Sequence, residues 1–426
     1  QSEDNNWISF YEFQDSDEEG NTTFNIFAED LAGNISSNNS ETSDSSFVLF
    51  DKTKPNLNVV NFYSSNNSNP ELAIIGDTLF LDIESNEPLL DISVYIGEVE
   101  DIYNPADTII SDISDNHLFK SWRILNGNEE EGYINFKIGL SDLSGNIGDT
   151  ISITTDGSSI LYDRTPPIDF IIEEVLTNNG NQVEGYWNST NENLIFSIPI
   201  PDDNTLLDGG GIQIQASFLD SNYLDLGEIY YIQEDALSDI KTMIIHKEYF
   251  QNLEGFDDDI NVNFRAKMWD KAGNFTYSSD NNDQLHIDII DPTIEPVNIY
   301  SNNILDTNWA KAFDSLFIDF SSSETLLNSR VLINNSLLNI VNTSDLNWEF
   351  SNIISDDFIE GQVNFKIYYE DIAGNIGDTI SQTSNGSFVN IDNSEPIIST
   401  LFEGNDSIDL DHYNDSSSIN LFWEQV

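Results

Sequence analysis

Four acidic residues, each followed at one spacing by glycine and asparagine, set the frame for this chain: Asp30 in EDLAGN, Asp142 in SDLSGN, Asp270 in WDKAGN and Asp371 in EDIAGN. Another aspartate follows each at the same interval, at Asp51, Asp163, Asp291 and Asp392 (51−30, 163−142, 291−270 and 392−371 are all 21). Three of these open D-x-[T/S]-x-P, and Asp291 opens the looser DPTIEP, which carries one more residue. The turn aspartates themselves lie 112, 128 and 101 residues apart (142−30, 270−142, 371−270), so insertions accumulate outside this segment. A period of this kind marks one supersecondary unit copied along the chain.

Upstream of each turn, apolar and polar residues alternate. Ile134, Phe136, Ile138 and Leu140 are interleaved with Asn135, Lys137, Gly139 and Ser141. Val262, Phe264, Ala266 and Met268 repeat the face, as do Val363, Phe365, Ile367 and Tyr369, and Thr22, Phe24, Ile26 and Ala28. Period two over eight residues predicts a strand with one buried face. DTLFLDIES, ISVYI, NLIFSIPI, SLFIDFSS and RVLIN predict further strands, and only HKEYFQNLEG reads as a helical turn. Units of about 100 residues with many short strands predict an all-β fold: tandem immunoglobulin-like β-sandwich domains in an elongated array. The linker proline stiffens each joint and, lacking an N–H, ends the preceding ladder. Limits placed there give residues 1–50 as the C-terminal part of a domain and 51–163 as a whole one. Residues 164–290 form a domain with insertions, 291–392 a third whole domain, and 393–426 the N-terminal part of another. The two part-domains read as the cut ends of a longer array. The rival reading has them complete each other between neighbouring molecules by strand exchange, making a self-assembling fibre subunit.

A net charge of −62, from 14 basic and 76 acidic residues, excludes nucleic acid as a partner, because phosphate backbones are held by Lys and Arg stripes. Anionic membrane surfaces are disfavoured for the same reason, and no run of about 18 apolar residues is present to insert in a bilayer. Such charge strains the compact state unless salt screens it or divalent cations neutralise it, and both conditions point outside the cell. The absence of cysteine removes disulfides, thiolate catalysis and Cys-type zinc sites. The 26 Phe, 16 Tyr and 7 Trp nevertheless supply enough apolar surface for several cores.

The order D-x-T-x-P, then a strand ending SNEPL (Ser85 to Leu89), then D-x-x-G-N resembles the tandem Ig-like domains of large bacterial surface and adhesin proteins. The likeness covers essentially the whole chain. The fourth unit departs mildly, with SSETL in place of the Glu-Pro, and the third departs more, with PIPDDNTLLDGGG at that turn. The resemblance implies an extracellular or cell-surface location on a bacterium, an adhesive or structural role, and a cell-surface or matrix ligand whose identity stays open.

Taken alone, D-x-x-G-N is a turn: glycine supplies positive φ, and Asp or Asn bonds its own backbone. Topology adds a second role. In a seven-stranded sandwich the strands run alternately up and down, so the entering linker, the loop after the second strand and the loop before the last share one pole. Asp51, Glu87 and Asp142 hold these places in the second unit, and Asp291, Glu324 and Asp371 in the fourth. The third offers Asp163, Asp202 or Asp203, and Asp270; the fifth offers Asp392 and Glu424. Converging carboxylates repel unless a cation sits among them. Ca²⁺, with six to eight oxygen ligands, suits such loops better than octahedral Mg²⁺. Structural Ca²⁺ is therefore expected at the domain junctions, each turn aspartate facing the linker that enters its own domain.

Enzyme readings find little support. His117, His246, His286 and His412 are scattered over different units, no Ser or Thr sits in an elbow motif, and DGGG at Asp208 to Gly211 lacks a phosphate loop's lysine. Trp7, Trp122 and Trp348 precede their turn aspartates by 23, 20 and 23 residues (30−7, 142−122, 371−348) and read as core residues. Trp269 falls on the polar face of its strand, as do Lys137 and Lys366, which argues against buried isopeptide crosslinks there. The expected function is a non-catalytic extracellular stalk or filament with Ca²⁺-stiffened joints. The alternative is a glycan- or protein-binding module working through the insertions of the third unit.

Overall fold

The period-two faces pair into antiparallel sheets. The computed structural model describes residues 6–99, 102–106, 108–111, 117–219, 222–279, 284–334, 336–396, 398–403 and 421–425. In the second unit, Leu57–Ser64, Thr78–Ser85, Leu118–Ile124 and Thr108–Ser111 form one sheet in that order. Phe136–Asp142, Leu89–Val99 and Ile102–Pro105 form the opposing one. Bridges from Ile147 to Ser141 and from Ile151 to Ile138 add the last strand. Burial follows the alternation: in Thr78–Ser85 every second residue is buried, and Leu79, Leu81 and Ile83 face Val94, Ile96 and Ile138 across the sandwich core. Each such side chain contributes roughly 1.5–3 kcal/mol when fully buried, so a charge at Ile138 would break the unit.

The fourth unit repeats this plan, with Ile294–Ser301, Ser315–Ser322, Asn347–Ile353 and Asn339–Thr343 opposite Phe365–Asp371, Leu326–Ile333 and Ser336–Leu337. The third unit enlarges its second sheet, where Ile260–Trp269 and Gly211–Phe218 pair over eight residues and Leu224–Tyr231 extends the edge. Its helical turn is Lys247–Gln251, which buries Phe250. Three separate hydrophobic cores result among the described residues, and the fold is a tandem array of immunoglobulin-like β-sandwiches. No helix among the described residues is long and apolar enough to cross a membrane.

Of the three tryptophans read as core residues, Trp348 packs half-buried against the fourth unit's core, stacked with Phe320 and Phe350. Trp7, 76% exposed, and Trp122, half-buried, depart from that expectation. Phe119 and Ser121 take the inward positions of their strand, so parity turns Trp122 outward. Distance to a turn does not fix that parity. Among the described residues the fully buried tryptophan is Trp187, edge-on to Phe250 at 5.1 Å. Trp269 does lie on the outer face, where its Nε1 donates to the Gly209 carbonyl at 3.2 Å. Its ring lies over Gly211, where a Cβ would approach to 2.6 Å.

Candidate metal centres at the linker turns

The recurrent aspartate, glycine and asparagine build one hydrogen-bonded turn. Asp142 Oδ1 accepts the N–H groups of Ser144 (2.8 Å) and Asn146 (2.9 Å), while Oδ2 accepts the Asn146 side-chain amide (2.8 Å). Gly145 supplies the positive φ of +92° that closes the turn. The Asn146 amide also donates to the backbone carbonyl of Asp51, at 3.1 Å. The same pattern ties Asn274 to Asp270 and to the Asp163 carbonyl, both at 3.1 Å. It ties Asn375 to Asp371 (2.8 Å) and to the Asp288 carbonyl (3.0 Å). Asp30 forms the turn with Ala32 and Asn34 but is exposed. The asparagine is therefore the strap that holds the entering linker, and Asp142, Asp270 and Asp371 are all buried beneath it.

Among the described residues, two carboxylate clusters form at these straps. Asp51, Glu87 and Asp142 each offer an oxygen within 4.8 Å of the others, and so do Asp288, Glu324 and Asp371. In the fourth unit Asp288 stands where the 21-residue interval puts Asp291, whose exposed carboxylate instead accepts the Ser189 hydroxyl at 2.9 Å. The reason lies in the linker. Asp288 precedes Pro292 by four residues, as Asp51 precedes Pro55 (292−288, 55−51), and precedes Glu324 by 36, as Asp51 precedes Glu87 (324−288, 87−51). The third unit has lost three residues after its turn (288−270 is 18), and an extra aspartate at 291 restores the interval by coincidence.

Electrostatics follow from the crowding. Burial, then Asp51 and Asp142, push Glu87 above the usual carboxylate range. Burial, then Asp371, Asp288 and Asp258, push Glu324 up to about 7. Asp288 is raised chiefly by burial, then by Asp371.

The third unit differs. Asp163 and Asp270 are each raised, chiefly by burial, but no third carboxylate joins them in a cluster among the described residues. Asp203 caps the short helix Asn204–Leu206, taking the Thr205 N–H at 2.8 Å and hydroxyl at 2.7 Å, and Asp202 is exposed. Lys271 stands in the turn itself, and its charge partly offsets the rise at Asp163. Asp392 accepts the Ser394 N–H at 3.0 Å, and the side chain of Glu424 lies outside the described residues.

Sequence reasoning missed a second clasp. Glu131 accepts the Thr165 hydroxyl (2.7 Å) and the Arg164 N–H (2.9 Å), which holds it below its ordinary value. Glu19 does the same for Thr53 and Lys52, and Glu360 for Ser394 and Asn393. Their common signal is a Glu-Gly pair 11 residues before each turn aspartate (30−19, 142−131, 371−360). In the third unit Asp258 takes the place and accepts the Ile289 N–H at 2.8 Å.

The turns of the third and fourth units also dock on the unit before them. Asn66, beyond the first strand of the second unit, donates to the Ala272 carbonyl at 2.9 Å. Asn188 donates to the Ala373 carbonyl (2.7 Å) and Asn181 to that of Gly374 (3.0 Å), while Asn375 Oδ1 accepts the Ser189 N–H at 2.7 Å.

No family model matches this chain, and no curated protein matches it. Solved structures that align include domains of a 1.5-MDa bacterial ice-binding adhesin, 13% identical, with a TM-score of 0.30 over 79% of this chain and 98% of that one. The N-terminal eight Ig domains of Down syndrome cell adhesion molecule are 11% identical, with a TM-score of 0.26 over 83% of this chain and 38% of that one. A stretch of titin domains is 8% identical, with a TM-score of 0.26 over 76% and 96%. At such TM-scores these likenesses carry no argument about what the chain does.

Proposed function

We propose that this chain is a non-catalytic, extracellular structural and adhesive repeat segment, a stalk or filament whose unit-to-unit joints are stiffened by Ca²⁺. The observation that carries the reading is the meeting of linker, second-strand loop and turn carboxylates in Asp51, Glu87 and Asp142, repeated in Asp288, Glu324 and Asp371. The donors are all oxygens, with no imidazole or thiolate among them, which selects a hard cation. Each carboxylate oxygen has two lone pairs, so Asp142 and Asp371 retain acceptor capacity beyond their turn bonds. A bound cation would offset the mutual repulsion of three acids and fix the linker to its own sandwich. At the Asp288 joint, docking of the turn through Asn181 and Asn188 ties the fourth unit to the preceding one.

Extracellular modules hold Ca²⁺ at roughly 10⁻⁴–10⁻³ M. At about 100 times the dissociation constant, a site adds about 2.7 kcal/mol to the unit that carries it. The test is a Ca²⁺ titration of the chelator-stripped chain, following the thermal midpoint and the maximum dimension by X-ray scattering. A rise in midpoint with a longer, narrower particle distribution supports the reading. No change in either removes it.

A further inference from the structure

The third unit differs from its neighbours on the outer face of its larger sheet. After the turn asparagine, the second and fourth units continue Ile147-Gly-Asp149 and Ile376-Gly-Asp378, whereas the third has Phe275-Thr-Tyr277. An acid and an aliphatic residue have become two rings, on a strand paired to Ile260–Trp269. Alternation sends Phe264, Ala266 and Met268 of that strand into the core and leaves Arg265 and Lys267 outside. The Arg265 guanidinium lies between two rings, 4.0 Å from the centroid of Tyr223 and 3.8 Å from that of Tyr277. Its Nε donates to Gln215 Oε1 at 2.7 Å, and the Lys267 ammonium stands 4.3 Å over Phe275.

Among the described residues no carboxylate lies within ion-pairing distance of Arg265 or Lys267. In a chain with 76 acids and 14 bases, two adjacent cations rest on rings here, and the Asp225 carboxylate reaches Arg265 only through the Gln215 amide, which donates to it at 2.6 Å. Stacking orients the guanidinium while leaving most of its five N–H donors unspent. Phe275 and Tyr277 remain 47% and 37% exposed, so their edges and faces extend the cationic strip with apolar surface.

We propose that this face binds an acidic polysaccharide, with sugar rings lying on Phe275 and Tyr277 and carboxylate or sulfate groups meeting Arg265 and Lys267. Charge complementarity selects an anionic occupant. A second copy of the chain brings the whole charge of −62 with it, whereas a polysaccharide spreads its acids along a thin polymer and presents flat C–H faces that suit exposed rings. The repulsion from the rest of the protein is long-range and is screened beyond about 10 Å at 0.1 M salt, while the stacked contacts are not.

The experiment measures retardation of the full chain in gels containing polygalacturonate, dextran sulfate or neutral dextran, with Trp269 fluorescence as a second readout. The expected result is retardation by one or both acidic polymers, which identifies the acid group, and none by dextran. Arg265→Gln combined with Lys267→Gln, and separately Tyr277→Ala, lose about tenfold or more in affinity with the thermal midpoint unchanged. Equal retardation by dextran, none by either acidic polymer, or undiminished binding in the variants overturns the proposal. Concentration-dependent self-association abolished by the Arg265/Lys267 variant overturns it too, and assigns the face to a second copy.

Discussion

The side-chain amide of Asn375 donates to both the carbonyl oxygen and the carboxylate of Asp288, each at 3.0 Å, across 87 residues of chain. The same amide holds Asp371 Oδ2 at 2.8 Å, so one asparagine joins the linker, the turn and two of the three acids of a cluster. Asn375 is fully buried, and its removal leaves a buried Asp371 oxygen without that donor. Asn375→Ala is therefore expected to cost the fourth unit about 2–3 kcal/mol. Asn34→Ala, at an exposed turn, costs well under about 1 kcal/mol. Differential scanning calorimetry of the full chain checks the contrast, which comparable losses would contradict.

Gly374 tests the docking of that turn on the third unit. Its φ of +92° equals that of Gly145, but a Cβ there would meet Val183 at 2.8 Å, Asn181 at 2.9 Å and Asn188 at 3.0 Å, while one at Gly145 meets nothing within 4 Å. Both alanine variants bear the left-handed backbone cost of about 1–2 kcal/mol. Only Gly374→Ala should also broaden the distance distribution between spin labels on the third and fourth units. An equal response in the two variants would exclude docking through this turn.

Glu324 gives the joint a pH signature. Its value in the folded chain, about 7, lies above its ordinary 4.5, so without metal its ionisation opposes folding. The favourable contribution of the protonated form is fully present below about 4.5 and is lost as pH rises through about 7. In chelator, the thermal midpoint of the parent should thus fall relative to Glu324→Gln across this window. Saturating Ca²⁺ should flatten the difference, since the cation takes over the proton's role. A pH-independent gap between the two proteins in chelator would refute the assignment.

The Glu131 clasp predicts the opposite sign on a local scale. Held below its ordinary value by Thr165 and Arg164, Glu131 contributes above that value and loses its contribution as pH falls through its lowered one. Because the group is exposed, the effect is confined to the linker. Glu131→Ala should speed amide exchange at Arg164 and Thr165 roughly fivefold, corresponding to about 1 kcal/mol. Exchange indistinguishable from the parent at both amides would remove the clasp.

The strands were legible because each buries one face, and period two survives any insertion that falls in a loop. Asp51, Glu87 and Asp142 were legible because strand order alone brings their loops to one pole. Asp288 was not, because Asp291 carries a proline after it and sits at the expected interval, while spacing says nothing of backbone register. The residue that bonds the turn asparagine is the one that directly follows the strand Leu285–Ile287, which pairs with Tyr186–Trp187 on one side and Ile260–Trp269 on the other, a relation only pairing reveals. The clasp of Glu19, Glu131 and Glu360 carried a constant interval that went unread among 76 acids. In the third unit the second-strand loop is rebuilt around the Asp203 cap, which removes the carboxylate that the repeat pattern called for there.

Whether the two carboxylate clusters hold Ca²⁺ is decided by calorimetric titration of the chelator-stripped chain beside Glu87→Gln/Glu324→Gln. Both substitutions keep the side-chain shape and spare the turn aspartates. The variant is expected to bind two fewer Ca²⁺ per chain, one for each cluster, and to lose the metal-dependent rise in thermal midpoint. Equal stoichiometry in parent and variant, or no Ca²⁺-dependent heat in the parent, would contradict it.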